Sequence, residues 1–164
     1  MTTTTLIIVA RILHVVSSTI WTGFVVIAGL VLVNARLGTT AEDARRVRRS
    51  VVNRAARVVV PAAIISVLSG GYLFSALHGG ARTPTEIALG VGALAAVLSF
   101  LVGAIGSGGA ERRLAKLDAL GDARLATDAA KIEALNTRVI ASGRATAALL
   151  LLSGAAMAAA RFLY

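Results

Sequence analysis

The sequence predicts an all-α protein: a four-helix bundle integral to a membrane, with amphipathic helical extensions on the cytoplasmic side. Two observations predict this fold class. Hydrophobic residues make up 57% of the 164-residue chain, charged residues only 15%, and the mean hydropathy is +0.81. Soluble domains contain about a quarter charged residues, so this chain is too apolar to be one. The second observation is that four apolar stretches are each long enough to cross a bilayer.

The four predicted spans are residues 12–33, 58–77, 87–105 and 145–163. A span needs roughly 20 apolar residues to cross about 30 Å of hydrocarbon. Backbone groups in lipid must be hydrogen-bonded within the segment, and the polar/apolar alternation of a membrane barrel is absent, so these spans should be helices. We expect one transmembrane domain over residues 1–164, with connections at 34–57 and 106–144.

Lysine and arginine are concentrated in these two connections. Of the 17 lysines and arginines, 14 lie between Arg36 and Arg57 or between Arg112 and Arg144. By the positive-inside rule both connections lie in the cytoplasm and both termini lie outside. The net charge of +9 then reflects topology and attraction to anionic headgroups. Nucleic-acid binding is not expected, because aromatic residues that stack on bases are not interleaved with the arginines.

The second connection has an amphipathic pattern that is interrupted at Gly121-Asp122. Its apolar residues recur at helical intervals: Leu114, Leu117, Leu125, Ala129, Ile132 and Leu135. This pattern predicts two short amphipathic helices joined by a turn. We favour a hairpin that lies against the inner leaflet, and the alternative is a docking site for a partner protein.

Small residues recur along the last three spans at a spacing that lets membrane helices approach closely. They are Ser66, Gly70, Gly90, Gly92, Gly103, Gly106, Gly143 and Gly154. We interpret them as helix-contact positions. The stretch GAIGSGG, residues 103–109, is not a phosphate-binding loop, because no strand precedes it and no Lys-Ser/Thr pair follows it.

The first span contains a polar and aromatic face. His14 and Trp21 are seven residues apart and share this face, with Arg11 and Ser18 beside them. If Arg36 marks the inner boundary, Arg11 lies at the outer interface and His14 within the first turn of hydrocarbon. A histidine at that depth requires a polar partner, a ligand or a wet cavity.

The fourth span offers a second candidate ligand, Met157, which we expect at a depth similar to that of His14. Histidine and methionine form a known axial pair for haem iron and also suit copper, to which His78 could add a third ligand. Other interpretations remain open: a hydrogen bond from His14 to a serine or carbonyl of another helix, plain packing for Met157, and a water-exposed loop position for His78. Arg11 and Arg161 are candidates for binding haem propionates, or are interface anchors.

The stretch LHVVSSTIWTG resembles the L-H-x(6)-W-x-G signature of small bacterial membrane proteins of the copper-resistance D (CopD-like) group, which is similar in pattern to HemJ-type protoporphyrinogen oxidases. The closing ALLLLSGAAMAAARFLY resembles the Met-x(3)-Arg-aromatic ending of relatives of that group. The resemblance implies a protein of the bacterial cytoplasmic membrane in which His14 binds haem b and Trp21 belongs to the same site. The His and Lys that HemJ-type enzymes have in their third span have no counterpart in residues 87–105, so the resemblance does not extend to oxidase activity.

Three hypotheses follow for the function. The first is a haem b-binding protein for electron transfer or haem handling, with His14 as an axial ligand. The second is a copper-handling protein that uses His14, His78 and Met157, and the third is an accessory or structural subunit of a larger membrane complex. An enzyme is not indicated, since the predicted spans contain no carboxylate and no Ser-His-acid triad is suggested. A homodimer in which each protomer supplies His14 would complete a haem site across a two-fold axis.

Overall fold

The computed structural model of the chain describes residues 2–28, 43, 53–78, 83–120 and 127–163. The helices within these ranges are α1 (Thr3–Ile27), α2 (Asn53–Leu77), α3 (Pro84–Val102), a π-helical segment (Gly103–Gly108), α4 (Gly109–Asp118) and α5 (Ala129–Ala160). Four continuous helices are long and apolar enough to cross a membrane: α1, α2, the rod formed by α3 through α4, and α5. The all-α four-helix bundle predicted from the sequence is therefore confirmed. The predicted turn at Gly121-Asp122, Leu125 and residues 29–33 of the first predicted span lie outside the described residues.

The helices begin earlier than the predicted spans. α1 starts at Thr3, ahead of residue 12, and the Thr2 side chain accepts a hydrogen bond from the Thr5 amide at 3.4 Å. α3 starts with a capping box in which Thr83 and Glu86 each accept from the other's backbone amide, and Pro84 occupies its first turn. Hydropathy marks only the segment that prefers lipid. The hydrogen bonds of the helix depend on the backbone and continue beyond that segment.

The four long helices pair in antiparallel fashion. His14 of α1 contacts Ser66 and Gly70 of α2, and Trp21, further along α1, packs against Ala62 and Ala63. α3 packs along α5 in the same antiparallel sense, since Gly92 lies at Met157 and the later Ser99 bonds to the earlier Thr146. α1 also touches α5, and α2 touches α3. The helices therefore follow the order α1, α2, α3, α5 around the bundle, and α2 lies diagonally opposite α5.

Each end of this bundle has a distinct character. We call the end that carries the start of α1, the end of α2, the start of α3 and the end of α5 the terminal end. We call the opposite end, where α2 starts and α4 lies, the basic end. A hydrogen bond from the Thr85 hydroxyl to the Leu163 carbonyl joins α3 to the C-terminal residues at the terminal end.

Trp21 is the centre of the core between the helix pairs. Its side chain is only 4% exposed and packs with Ala62, Ala63 and Leu150, which belong to α2 and α5. The ring meets Phe100 of α3 edge to face, with the centroids 6.3 Å apart. The core cluster around Trp21 therefore joins all four long helices.

The contact between α3 and α5 depends on small residues. A β-carbon on Gly106 would lie 2.5 Å from the Ser142 β-carbon, so any larger residue would force the helices apart. Ser99, fully buried, donates a hydrogen bond to the Thr146 carbonyl at 3.1 Å. The predicted contact positions Gly70, Gly92, Gly103 and Gly106 are confirmed. The prediction was wrong for three others, around which a β-carbon would have nothing within 4 Å among the described residues: Gly90, Gly143 and Gly154.

The second connection was predicted to form two short amphipathic helices joined by a turn, and in the structure both helices continue into the membrane spans. α4 continues from α3 through the π-helical segment, and the helix that contains Ile132 and Leu135 is the first part of the 32-residue α5. Leu114 and Leu117 of α4 bury themselves against Leu135 and Val139 of α5. The apolar stripes of this hairpin cover one another, which argues against the favoured interpretation that they lie on the inner leaflet.

Candidate functional site

His14 is held against α2 by a hydrogen bond that crosses the helix pair. Its Nδ1 lies 2.9 Å from the backbone carbonyl oxygen of Ser66, a residue that is itself only 4% exposed. A histidine in a membrane helix that bonds to a carbonyl of another helix was one of the alternatives predicted from the sequence. The structure confirms that contact.

The hydrogen bond determines which ring nitrogen carries the proton. A carbonyl oxygen only accepts hydrogen bonds, so Nδ1 must be the donor and, in the neutral imidazole, Nε2 carries the lone pair. The described residues form no hydrogen bond to Nε2. Metal-bound histidines commonly donate their other ring N–H to a carbonyl in this way, which fixes the ring orientation. The contact is therefore compatible with ligation through Nε2.

The imidazole lies in a notch at Gly70. A β-carbon on Gly70 would come within 2.7 Å of His14 Cε1 and 3.0 Å of Nδ1, and its three nearest atoms would all belong to that ring. The absence of a side chain at Gly70 is what lets the ring reach the Ser66 carbonyl. The sequence identified Ser66 and Gly70 as helix-contact positions. It did not reveal that the group they contact is the His14 ring.

The serines that follow His14 on α1 hydrogen-bond along their own helix. Ser17, which is buried, donates to the Leu13 carbonyl at 2.5 Å, and Ser18 donates to the Val15 carbonyl at 3.1 Å. Ser17 also lies 3.3 Å from the His14 backbone carbonyl, so these hydroxyls bond to backbone and not to the His14 ring. Trp21, the other member of the predicted face, is a packing residue of the core described above.

Met157 lies against α3. A β-carbon on Gly92 would come within 2.9 Å of Met157 Cγ and 3.1 Å of the Ser153 carbonyl oxygen. The edge contact between Trp21 and Phe100 places these two residues at one depth, and His14 lies seven residues, about 10 Å, nearer the terminal end. The same step along α3 leads from Phe100 to the neighbour of Gly92. His14 and Met157 thus lie at a similar distance along the bundle, as predicted, but the His14 ring packs against α2 and Met157 packs against α3.

His78 lies just beyond the end of α2. Its ring stacks on Phe74 with the centroids 5.8 Å apart, and its Nδ1 is buried without a hydrogen-bond partner among the described residues. It follows Gly70 by eight residues, about 12 Å along the helix axis. In the described part of the chain no three His, Cys, Asp or Glu side chains converge on a point, so His14 and His78 are not brought together with a third such ligand.

The two predicted anion-binding arginines are both exposed. Arg161 stacks over the ring of Phe162 at 4.5 Å, close to the C-terminal contact between Thr85 and Leu163. Arg11 lies one turn before His14 on α1, about 12 Å from the start of the helix at Thr3. His14 therefore lies about 16 Å from the start of α1. Its depth within the hydrocarbon stays a prediction.

Comparison of the chain with protein families, curated proteins and solved structures finds no match. The resemblance to the CopD-like and HemJ-like group therefore stays a prediction from the sequence. What the structure establishes is an integral membrane bundle of four long apolar helices, with one histidine hydrogen-bonded between two of them.

Proposed function

We propose that this protein binds haem b in the bacterial cytoplasmic membrane, with His14 Nε2 as an axial ligand to the iron. The observation that carries the proposal is the 2.9 Å hydrogen bond between His14 Nδ1 and the Ser66 carbonyl oxygen. It directs the proton to Nδ1 and leaves the lone pair on Nε2, the arrangement that a ligating imidazole needs. Bound haem would supply one-electron transfer at its iron.

Of the other candidate residues, Arg11 fits a bound haem better than Met157 does. Arg11 is exposed one turn from His14 in the direction of the terminal end, and its guanidinium suits a haem propionate. Met157 packs against Gly92 on α3, whereas the His14 ring packs against Gly70 on α2. We therefore favour His14 of a second copy of the chain over Met157 as the second axial ligand.

The test is the absorption spectrum of the protein purified in detergent from cells supplied with a haem precursor. The wild type should show a Soret band, and His14→Ala should lose it while the far-ultraviolet circular dichroism stays helical. His78→Ala is the matched control, because it removes the other histidine of the chain. His78 lies about 12 Å along the α2 axis from Gly70, against which the His14 ring packs, and the variant should keep the band. Met157→Ala should also keep it if a second His14 completes the site.

Each alternative hypothesis has its own signature in this experiment. A wild type without a Soret band, or a His14→Ala variant that keeps the full band, would sink the haem proposal. Stoichiometric copper in the purified wild type, lost on His14→Ala, would instead support copper handling. A protein without either would leave the interpretation as an accessory subunit of a larger membrane complex.

A further inference from the structure

The four long helices form two tightly packed pairs with a thinner seam between them. We call α1 with α2 the first pair, and α3 with α5 the second pair. Close approaches between helices are concentrated within the pairs, whereas α1 with α5 and α2 with α3 come close at far fewer positions. Each pair starts and ends at the terminal end of the bundle. The pairs are therefore parallel copies of one antiparallel unit.

Each pair contains the same kind of contact at a similar depth. One residue of the first helix lies against two residues of the second helix that are four positions apart, and the earlier of these two is a buried serine whose carbonyl faces the contact. In the first pair these residues are His14, Ser66 and Gly70, and in the second pair they are Gly92, Ser153 and Met157. Only the glycine and the large side chain have exchanged helices.

The burial of neighbouring residues agrees with this correspondence. Three and seven residues after His14, α1 buries Ser17 and Trp21; at the same steps after Gly92, α3 buries Ala95 and Ser99. Three residues before the two serines, α2 and α5 bury Ala63 and Leu150. The chain thus contains two structurally equivalent halves, related by a two-fold axis along the membrane normal, as in transporters with parallel repeats.

The contacts within the pairs differ in kind from those across the seam. Side-chain hydrogen bonds join the helices of each pair: His14 to Ser66 in the first, and Ser99 to Thr146 and Ser107 to Ser142 in the second. The cluster that fills the seam consists of apolar side chains around Trp21, including Phe100 and Leu150. Membrane helices are held together by close packing and hydrogen bonds, because lipid supplies no hydrophobic force between them. Each pair is therefore held more firmly than the seam.

We propose that the two pairs move against each other as rigid bodies, and that they rock about Trp21 so that the seam opens at one end of the bundle as it closes at the other. Rigid-body rocking of one repeat against the other is an established motion of repeat-built membrane proteins. The hydrogen bond of His14 to Ser66 lies within the first pair, so the motion leaves it intact. This inference does not depend on haem binding.

The test measures distances between spin labels by double electron–electron resonance, with the protein in lipid vesicles. The chain has no cysteine, so labels can be placed on introduced cysteines alone. Val9→Cys/Ile87→Cys labels exposed, equivalent positions of α1 and α3 toward the terminal end, and Ile27→Cys/Ile105→Cys does so toward the basic end. Val9→Cys/Phe74→Cys is the matched control, because both of its labels lie on the first pair.

Both label pairs that span the seam should give broader distance distributions than the control. The terminal-end distribution should be the broader of the two, because Val9 lies about 18 Å along α1 from Trp21 and Ile27 only about 9 Å. Trp21→Ala should broaden both further and leave the control unchanged. Phe100→Leu should act in the same direction with a smaller effect, and it provides the test if Trp21→Ala does not fold.

Three results would overturn the proposal. The first is a pair of seam distributions as narrow as that of the control, which would show one rigid bundle. The second is broadening at one end only, which local fraying of helix ends would give. The third is a core substitution that broadens the control as much as the seam pairs, because the first pair would then not move as a unit.

Discussion

Replacing Gly70 with alanine tests whether the notch in α2 positions His14. The new β-carbon would lie 2.7 Å from His14 Cε1 and 3.0 Å from Nδ1, both too short for carbon–carbon and carbon–nitrogen contacts. The imidazole must move away, and the hydrogen bond to the Ser66 carbonyl must lengthen or break. We expect a loss of stability and, if His14 binds haem, a weaker or shifted Soret band.

The magnitude follows from two contributions. Forcing an extra methyl group into a packed contact costs typically about 1–3 kcal/mol. Loss of an interhelical hydrogen bond in a membrane protein adds about 0.6 kcal/mol on average. Gly71→Ala is the matched control, since a β-carbon there meets no described residue within 4 Å and both variants share the gain in helix propensity. Gly70→Ala should therefore be less stable than Gly71→Ala by roughly 1.5–3.5 kcal/mol.

The assay is unfolding by sodium dodecyl sulfate in mixed micelles. Trp21 is the only tryptophan of the chain and is buried in the core, so its fluorescence reports unfolding of the bundle. A double-mutant cycle with His14→Ala isolates the contact, because the three nearest atoms to the new β-carbon all belong to His14. In the His14→Ala background, Gly70→Ala should cost no more than Gly71→Ala. The reasoning fails if Gly70→Ala is as stable as Gly71→Ala, or if its cost persists without His14.

Two further predictions concern the α3–α5 contact and the orientation of the chain. Gly106→Ala should lower the free energy of unfolding by about 1–3 kcal/mol, because its β-carbon would clash with Ser142. Gly109→Ala should not, because its β-carbon would have no neighbour within 4 Å in the described part of the chain. Equal stability of the two variants would contradict the close approach. The chain contains no cysteine, so single cysteines can be labelled with a membrane-impermeant maleimide. Thr2→Cys and Tyr164→Cys should react in intact cells, and Arg48→Cys and Leu120→Cys only after permeabilisation; the reverse pattern would invert the topology.

Most of the fold was readable from the sequence because the membrane acts on each segment separately. Whether a stretch such as residues 87–105 enters lipid depends on the transfer free energy of its own side chains, which is a sum over residues and needs no knowledge of neighbours. The same local reasoning located the basic connections. It misplaced the helix ends, because the loss of apolar residues after Gly106 marks the edge of the preferred lipid segment, while the backbone hydrogen bonds continue into α4.

The candidate site was only half readable for the opposite reason. The sequence singled out His14 as a costly residue in lipid and identified Ser66 and Gly70 as contact positions, but it could not pair them. Which atom faces His14 depends on the register between α1 and α2, and that register depends on many packing contacts at once, including those of Trp21 with Ala62 and Ala63. Gly90 and Gly106 look alike along the chain, yet within the described ranges only a β-carbon on Gly106 would meet a neighbouring helix. Composition and charge determine that four helices cross a membrane. Which residues of different helices contact each other depends on helix rotation and register. Packing energy varies over a few ångströms of distance between atoms of two helices, and the sequence of one helix does not contain those distances.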